Sequence, residues 1–443
     1  MARTRRLSNL GADIPGDTSA PAMSTMNEVS PIETEAPKWD KFPAKSLKSQ
    51  SKRRKNSSSL RRFKDTCLKH TWLLPLLILI VLLALYAVNP TPSNPLHSAI
   101  FLSYPQPPKT PGGPVMYGKG PKDIAFVSFY IIVLSFTREF IMQRLIRPCA
   151  LYCGIRSKGK TARFMEQVYT AIYFAIFGPF GLYVMYRSDI WYFNTTAMFE
   201  GFPHREHEAL FKAYYLLEAS YWAQQAIVLL LQLEKPRKDF KELVAHHIIT
   251  LALIALSYRF HFTYIGLAVY ITHDVSDFFL ATSKTLNYLD SIVTVPYFGW
   301  FVVMWIYLRH VLNLKILWAV LTEFRTVGPF ELNWETQQYK CWISQYITFA
   351  LLASLQAVNL FWLFLILRIL KNYLFNSITK DERSDDEDEE EEAGLEQEQN
   401  GHAVLATGAD VPIITTRNVG KENQAPQVLV NGEPFNEKSS GRW

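Results

Sequence analysis

The chain has 443 residues, of which 49% are hydrophobic and 14% aromatic, including 22 Tyr, 29 Phe and 11 Trp. That bias suits a polytopic membrane protein. The four cysteines, at 67, 149, 153 and 341, are too scattered for a disulfide framework, and the basic run ahead of residue 66 lies beside a membrane span, which argues against a nucleic-acid partner.

Residues 1–66 are poor in apolar side chains and read as a disordered, cytosolic N-terminal region. Its basic run, Lys52, Arg53, Arg54, Lys55, Arg61, Arg62 and Lys64, suits the anionic headgroups of membrane lipids. A first span over about 71–89 follows too long a polar segment to be a cleavable leader, so residues 67–120 read as an anchor and lumenal loop. A second span, about 122–142, leads into a basic loop carrying Arg144, Arg147, Arg156, Lys158, Lys160 and Arg163, giving a segment 121–159. Cys149 and Cys153 near its end suit palmitate but read better as unmodified thiols.

The main membrane domain, 160–372, contains expected spans at about 164–186, 209–232, 242–258, 262–283, 290–310 and 343–370. The fold class is therefore an all-α polytopic membrane protein of about eight transmembrane helices. Basic segments flank the cytosolic ends, and the connection after the third span is poor in Lys and Arg. That connection contains the sequon Asn194, Thr195, Thr196, a glycosylation acceptor on a lumenal face. Both termini are then cytosolic. The tail, 373–443, reads as disordered, with an acidic block from Asp381 to Glu392; Ser384 within it suits an acid-directed kinase, and a solvating tail is the plainer account.

The fifth and sixth spans should form an antiparallel hairpin with its apex near Phe260. His246 and His247 on one leg and His273 on the other then lie about 20 Å below the apex, at one level. Ionisable groups at membrane depth cost several kcal/mol, so this cluster, with Asp274 and Asp277, marks a reaction site or a transport path, expected as a single water-accessible chamber open to the cytosolic side. At 100° per residue His246 shares a stripe with Asp239, Thr250 and Ser257, whereas His247 lies about 100° away. His273, Asp277 and Tyr270 share a face of the second leg, with Asp274 to its side.

A base in a lipid-accessible cavity suits N-acylation: an imidazole takes the proton of an amine attacking a thioester, or first accepts the acyl group itself. A single metal on three histidines and carboxylates competes, although the spacing is not diagnostic and His261 falls at the opposite membrane surface. A proton-coupled transporter and structural polar glue between helices are further readings.

At these residues the chain resembles the Lag1-type ceramide synthases, of fungal type, in the TRAM, LAG1 and CLN8 (TLC) domain family. The segment carrying the likeness runs from Arg237 to Leu289 and holds the HH pair and the HDxxD element. The resemblance implies an endoplasmic reticulum membrane enzyme that transfers a fatty acyl group from acyl-CoA to the amino group of a sphingoid base. It implies His246, His247, His273, Asp274 and Asp277 as the catalytic set, and a six-span helical barrel around a substrate tunnel, formed by the last six helices. No cofactor or metal is implied, acyl-CoA being a co-substrate. A small single-span accessory subunit and dimerisation, homo- or hetero-, are further implications. The alternative class is a non-enzymatic lipid-sensing or translocation-associated member, which the full HH and HDxxD set disfavours.

Within the motif, the stripe singles out His246 as base or acyl acceptor, with His247 orienting it or facing a neighbouring helix, and with His273 and Asp277 tuning the charge state and Asp274 supporting them. Arg237 and Lys238 at the cytosolic mouth suit the CoA phosphates, and equally the positive-inside bias. Trp222, Tyr221 and Tyr270 suit the lining of an acyl tunnel but read better as packing. The connection over about 311–342 lies at the far end of the tunnel.

Overall fold

The computed structural model describes residues 63, 66, 67, 69–108, 111–231 and 239–376, with short strands at 414–417, 427–430 and 433–434. Arg237, Lys238, Ser384 and the basic N-terminal run lie outside the described residues.

Each expected span is helical. In chain order the elements are α1 (Leu73–Val88), α2 (His97–Ile100), β1 (Pro105–Gln106), β2 (Met116–Tyr117), α3 (Lys122–Tyr152), α4 (Lys158–Tyr186), β3 (His207–Glu208), α5 (Ala209–Leu230), α6 (Phe240–Arg259), α7 (Thr263–Tyr288), α8 (Thr294–Thr322) and α9 (Trp342–Asn376). Five helices, α3, α4, α6, α8 and α9, are long and apolar enough to cross a membrane. This is a multi-pass membrane protein. Helix α1 is 16 residues long, about 24 Å. Helices α5 and α7 have the length but bury polar side chains inside the protein, among them Glu218 and Gln224 on α5 and His273 and Asp274 on α7.

Two helices outrun their expected ends. Helix α3 continues past Ile141 through a π-turn, Met142–Ile146, into Arg147–Tyr152. The wider turn accommodates Pro148, which has no N–H to offer the ladder. Helix α8 passes through a second π-turn, Tyr307–Leu312, and runs on to Thr322, so the connection to α9 is shorter than 311–342. Arg309 and His310 look from the sequence like surface charges ending a span. Both are instead buried, with Leu308 beside them. Three consecutive buried residues exceed what one stripe of a regular helix presents, and the π-turn supplies the extra rotation.

Helix α4 packs along α7, α7 along α8, α8 against α9, α9 against α6, α6 against α5, and α5 meets α4. The α6–α7 hairpin turns tightly at Phe260–Phe262, where His261 adopts φ +68°. At this turn end of the helices β1, β2 and β3 form an antiparallel sheet with Gln106 opposite Met116 and Tyr117 opposite His207. Lys212 of α5 fastens it. Its ammonium donates to the carbonyls of Ser103 (2.9 Å) and Gly118 (2.7 Å) and pairs with Asp123 at 2.7 Å. In the tail, where the composition reads as disordered, Ile414–Arg417 (β4) pairs antiparallel with Gln427–Val430 (β5), which pairs with Glu433–Pro434 (β6).

Candidate active site

The α6 stripe expected from the sequence is present. His246 is the buried residue of α6, at 4% exposure, and its Nε2 lies 3.5 Å from Thr250 Oγ1. Its Nδ1 has no hydrogen-bond partner among the described residues. A buried polar atom in that state needs an explanation, and a ligand is one. The ring sits edge-on to Trp362 of α9 (5.1 Å), whose indole N–H donates to Asp239 at 3.2 Å, and to Trp222 of α5 (5.8 Å).

His247 is half-buried and turned away from its neighbour, the two rings being 5.7 Å apart and nearly perpendicular. Its Nδ1 donates to the Leu243 carbonyl at 2.9 Å. A carbonyl only accepts, so the neutral ring carries its lone pair on Nε2.

On α7, His273 Nδ1 donates to the Val269 carbonyl at 2.8 Å, and Nε2 lies 3.2 Å from the side-chain nitrogen of Asn359 on α9. Asp277 does not reach an imidazole. It accepts from Arg309 Nη2 at 2.5 Å, and the same guanidinium donates from Nε to Ser276 Oγ (2.6 Å), from Nη1 to Asn359 Oδ1 (3.1 Å) and from Nη2 to the His273 carbonyl (3.4 Å). The guanidinium also stacks 4.2 Å above Trp305. Asp274 is fully buried and faces α5, accepting from the Tyr214 hydroxyl at 2.8 Å. Nearby, Tyr173 donates to Glu218 at 3.2 Å.

Two cavities meet at this cluster. The first, about 230 Å³, is almost wholly apolar and is lined by His246, Thr250, Tyr270, His273 and Trp222; toward the turn end it is bounded by Phe262 and Tyr339. The second, about 200 Å³, is more polar: Glu166, Gln167, Gln225, His247, Asp277 and Lys284 line it beside apolar side chains that include Phe174, Leu243 and Leu280, again with Trp222. The motif residues thus divide. His246 and His273 border the apolar cavity, His247 and Asp277 the polar one, and Asp274 lines neither. This differs from a single shared chamber for a simple reason: adjacent helical residues point 100° apart, so the HH pair straddles the wall between the cavities, and Asp274 turns from the cavity His273 borders toward Tyr214.

Trp222 and Tyr270, which read as packing, line the apolar cavity, and Trp222 borders both. Arg309, Asn359, Glu218 and Tyr214 are the groups the sequence reading missed. An Arg-His pair in an apolar stretch was the available signal for Arg309. Asn194 is exposed on the connection between α4 and α5, and the hydroxyls of Thr195 and Thr196 donate to the Glu323 carboxylate at 2.8 and 3.0 Å.

Residues 163–368 match the TLC domain family model. A sphingosine N-acyltransferase-like protein of Gibberella moniliformis, FUM17, is 53% identical over 80% of this chain and 92% of its own length. The ceramide synthase LAG1 of Saccharomyces cerevisiae is 50% identical over 88% of this chain and 93% of its own. The sphingosine N-acyltransferase lac1 of Schizosaccharomyces pombe is 51% identical over 79% and 91%.

Proposed function

The chain belongs to the Lag1-type sphingosine N-acyltransferases, the ceramide synthases of the TLC-domain family, and from that premise we propose that it transfers a fatty acyl group from acyl-CoA to the amine of a sphingoid base, giving a ceramide and free CoA. The observation that carries the reading is the pair of cavities divided at Trp222, one almost wholly apolar and one carrying charged and amide side chains, with an adjacent histidine on each. An acyl chain demands the first kind of surface. A polar head demands the second, and the thioester carbon would lie at their boundary.

The new bond joins the amine nitrogen to the acyl carbon, and the C–S bond breaks. His246, whose Nδ1 is unpartnered beside the apolar cavity, takes the proton lost by the attacking amine, and that proton leaves with the CoA thiolate. The same nitrogen is the site of acylation if the reaction proceeds through an acyl-imidazole. His247 and Asp277 flank the head group from the polar side, His273 shapes the apolar wall, and Asp274 braces α7 against α5. Acyl-CoA is a co-substrate and the chemistry needs no resident cofactor.

The setting is the endoplasmic reticulum membrane, with eight spans, both termini cytosolic, and α4 to α9 forming the wall of a substrate tunnel. The polar cavity then opens toward the cytosol, where Arg237 and Lys238 meet the CoA phosphates, and Asn194 faces the lumen as a glycan acceptor. A small single-span accessory subunit and a second synthase protomer are the partners this reading expects. In a test, purified protein is incubated with sphinganine and a panel of acyl-CoAs and amide product is read by mass spectrometry. Product from the native protein and none from the His246→Ala, His247→Ala double variant is expected. A native protein that binds both substrates and releases them unchanged would overturn the reading.

A further inference from the structure

Arg309 does more than neutralise Asp277. A guanidinium has donors only, so the Asn359 atom 3.1 Å from Nη1 is the carboxamide oxygen. That fixes the flip of the amide, and its nitrogen, again only a donor, faces His273 Nε2 at 3.2 Å. Nε2 must therefore present a lone pair. On the other edge of the ring the Val269 carbonyl, 2.8 Å from Nδ1, requires a proton there. The Thr272 hydroxyl, 3.1 Å from Nδ1, gives its own proton to the same carbonyl and so can only accept there, which leaves a single arrangement, the neutral ring protonated on Nδ1. A second proton on Nε2 would set two N–H groups face to face.

We propose that Asn359, oriented by Arg309, is a positioning residue that holds His273 as a neutral hydrogen-bond acceptor, so that His273 lines the apolar cavity without carrying the reaction's proton. The inference rests on the acyl-transfer reading above. It assigns proton transfer to His246 and gives the buried Arg309 a role beyond charge balance. The groups around His273 agree with this. Helix α8 supplies the cation Arg309 and His310; α6 supplies His246; α9 supplies only the neutral amides Asn359 and Gln356, the latter donating to His310 Nδ1 at 2.7 Å. On its own helix, Asp277 is taken by Arg309 and Asp274 by Tyr214, and on α5 Glu218 is taken by Tyr173. Among the described residues no carboxylate contact reaches the imidazole to favour a second proton.

The test is a pH series of kcat and kcat/KM for acyl-CoA with native protein and Asn359→Asp. The substituted carboxylate keeps an oxygen for Arg309 and turns another acceptor toward Nε2, inviting the proton the amide excludes. Expected are a fall in kcat of about tenfold or more, KM within about twofold of native, and an acid limb moved upward by about one pH unit or more, with activity partly recovered as the pH rises. A variant whose acid limb superimposes on the native one would overturn the proposal, because loss of packing alone lowers kcat without moving it. If Asn359→Asp does not accumulate as folded protein, Arg309→Lys decides: it keeps the charge beside Asp277 but frees the amide to flip, and the same upward movement is expected. A native enzyme that forms no amide at any pH would instead remove the reading on which the proposal depends.

Discussion

Two of the places where the protein buries a cation, around Arg309 and around Lys212, are built differently. Around Arg309, in the middle of α8, one guanidinium is shared between two elements: Asp277, Ser276 and the His273 carbonyl on α7, and Asn359 on α9. At the turn end, Lys212 pairs with Asp123, which also accepts from Tyr258 (2.8 Å) and from the Gly120 amide (2.9 Å), while Lys119 donates to the His204 carbonyl at 2.8 Å. Burial holds the Lys119 ammonium well below the usual lysine range; the Lys212 charge adds to this and Asp123 opposes it. His204 and His261 are pushed down to about 4 and about 3, chiefly by burial. The turn end thus resists extra protons and joins loops to helix ends, whereas the Arg309 network touches residues that line cavities. A buried polar cluster becomes a candidate for chemistry when it borders space large enough for a substrate.

The largest expected effect tests the first region. Arg309→Leu strands Asp277 in the protein interior and should cost about 3–5 kcal/mol, with turnover lost. Thermal unfolding in detergent checks it: a sharply lowered Tm is expected, and adding Asp277→Asn should restore part of the Tm without restoring product. Should the single variant melt like the native protein, the two clusters do not differ in the way described.

At the turn end, Asp123→Ala removes the acceptor shared by Lys212, Tyr258 and Gly120 and should cost about 3 kcal/mol. Here kcat per folded molecule should stay at the native value, because Asp123 lines neither cavity. A large fall in kcat at unchanged Tm would make the turn end part of the reaction machinery.

Acid should reveal the same region. His204 has its proton affinity depressed in the fold, from an ordinary 6.5 to about 4, so folding favours the neutral ring. Its contribution is present above pH 6.5 and is lost as the pH falls toward 4, amounting to about 2 kcal/mol once the remaining solvent exposure is discounted. Tm measured from pH 7 down to 4 should therefore decline, and His204→Gln should flatten that decline. Parallel curves for the two proteins would refute this assignment.

The helices were legible because a span is recorded in some twenty consecutive residues, and the HH and HDxxD residues because ionisable groups inside such spans stand out. Arg309 was hidden by an ambiguity of position. A cation at an expected span end looks like an interfacial anchor, and only the extension of α8 to Thr322 puts it inside. Asn359 sits with Gln356 in a long apolar run, where two amides three residues apart match no motif. Its meaning depends on α8 and α7 lying beside α9, which no local spacing encodes. The division of the motif between two cavities was readable in part, since the 100° between His246 and His247 already separates them, but what lies on each side depends on Trp222 of α5.

The smallest effect probes how the site is joined to its frame. Gly181 of α4 lies under the Tyr214 ring: a Cβ there would stand 2.5 Å from the hydroxyl oxygen and 3.1 Å from Ile271. Tyr214 is the partner of Asp274, so Gly181→Ala cannot be accommodated without moving the hydroxyl that holds the carboxylate. Overpacking of this kind should cost about 1–2 kcal/mol. If Asp274 does brace α7, kcat should fall with little change in KM for acyl-CoA, and Tyr214→Phe alone, which removes the same bond without crowding the ring, should lower kcat in the same way. A Gly181→Ala enzyme with native kcat and a lowered Tm would show that the Tyr214 bond serves packing alone, which would put Asp274 with the turn-end groups and outside the reaction site.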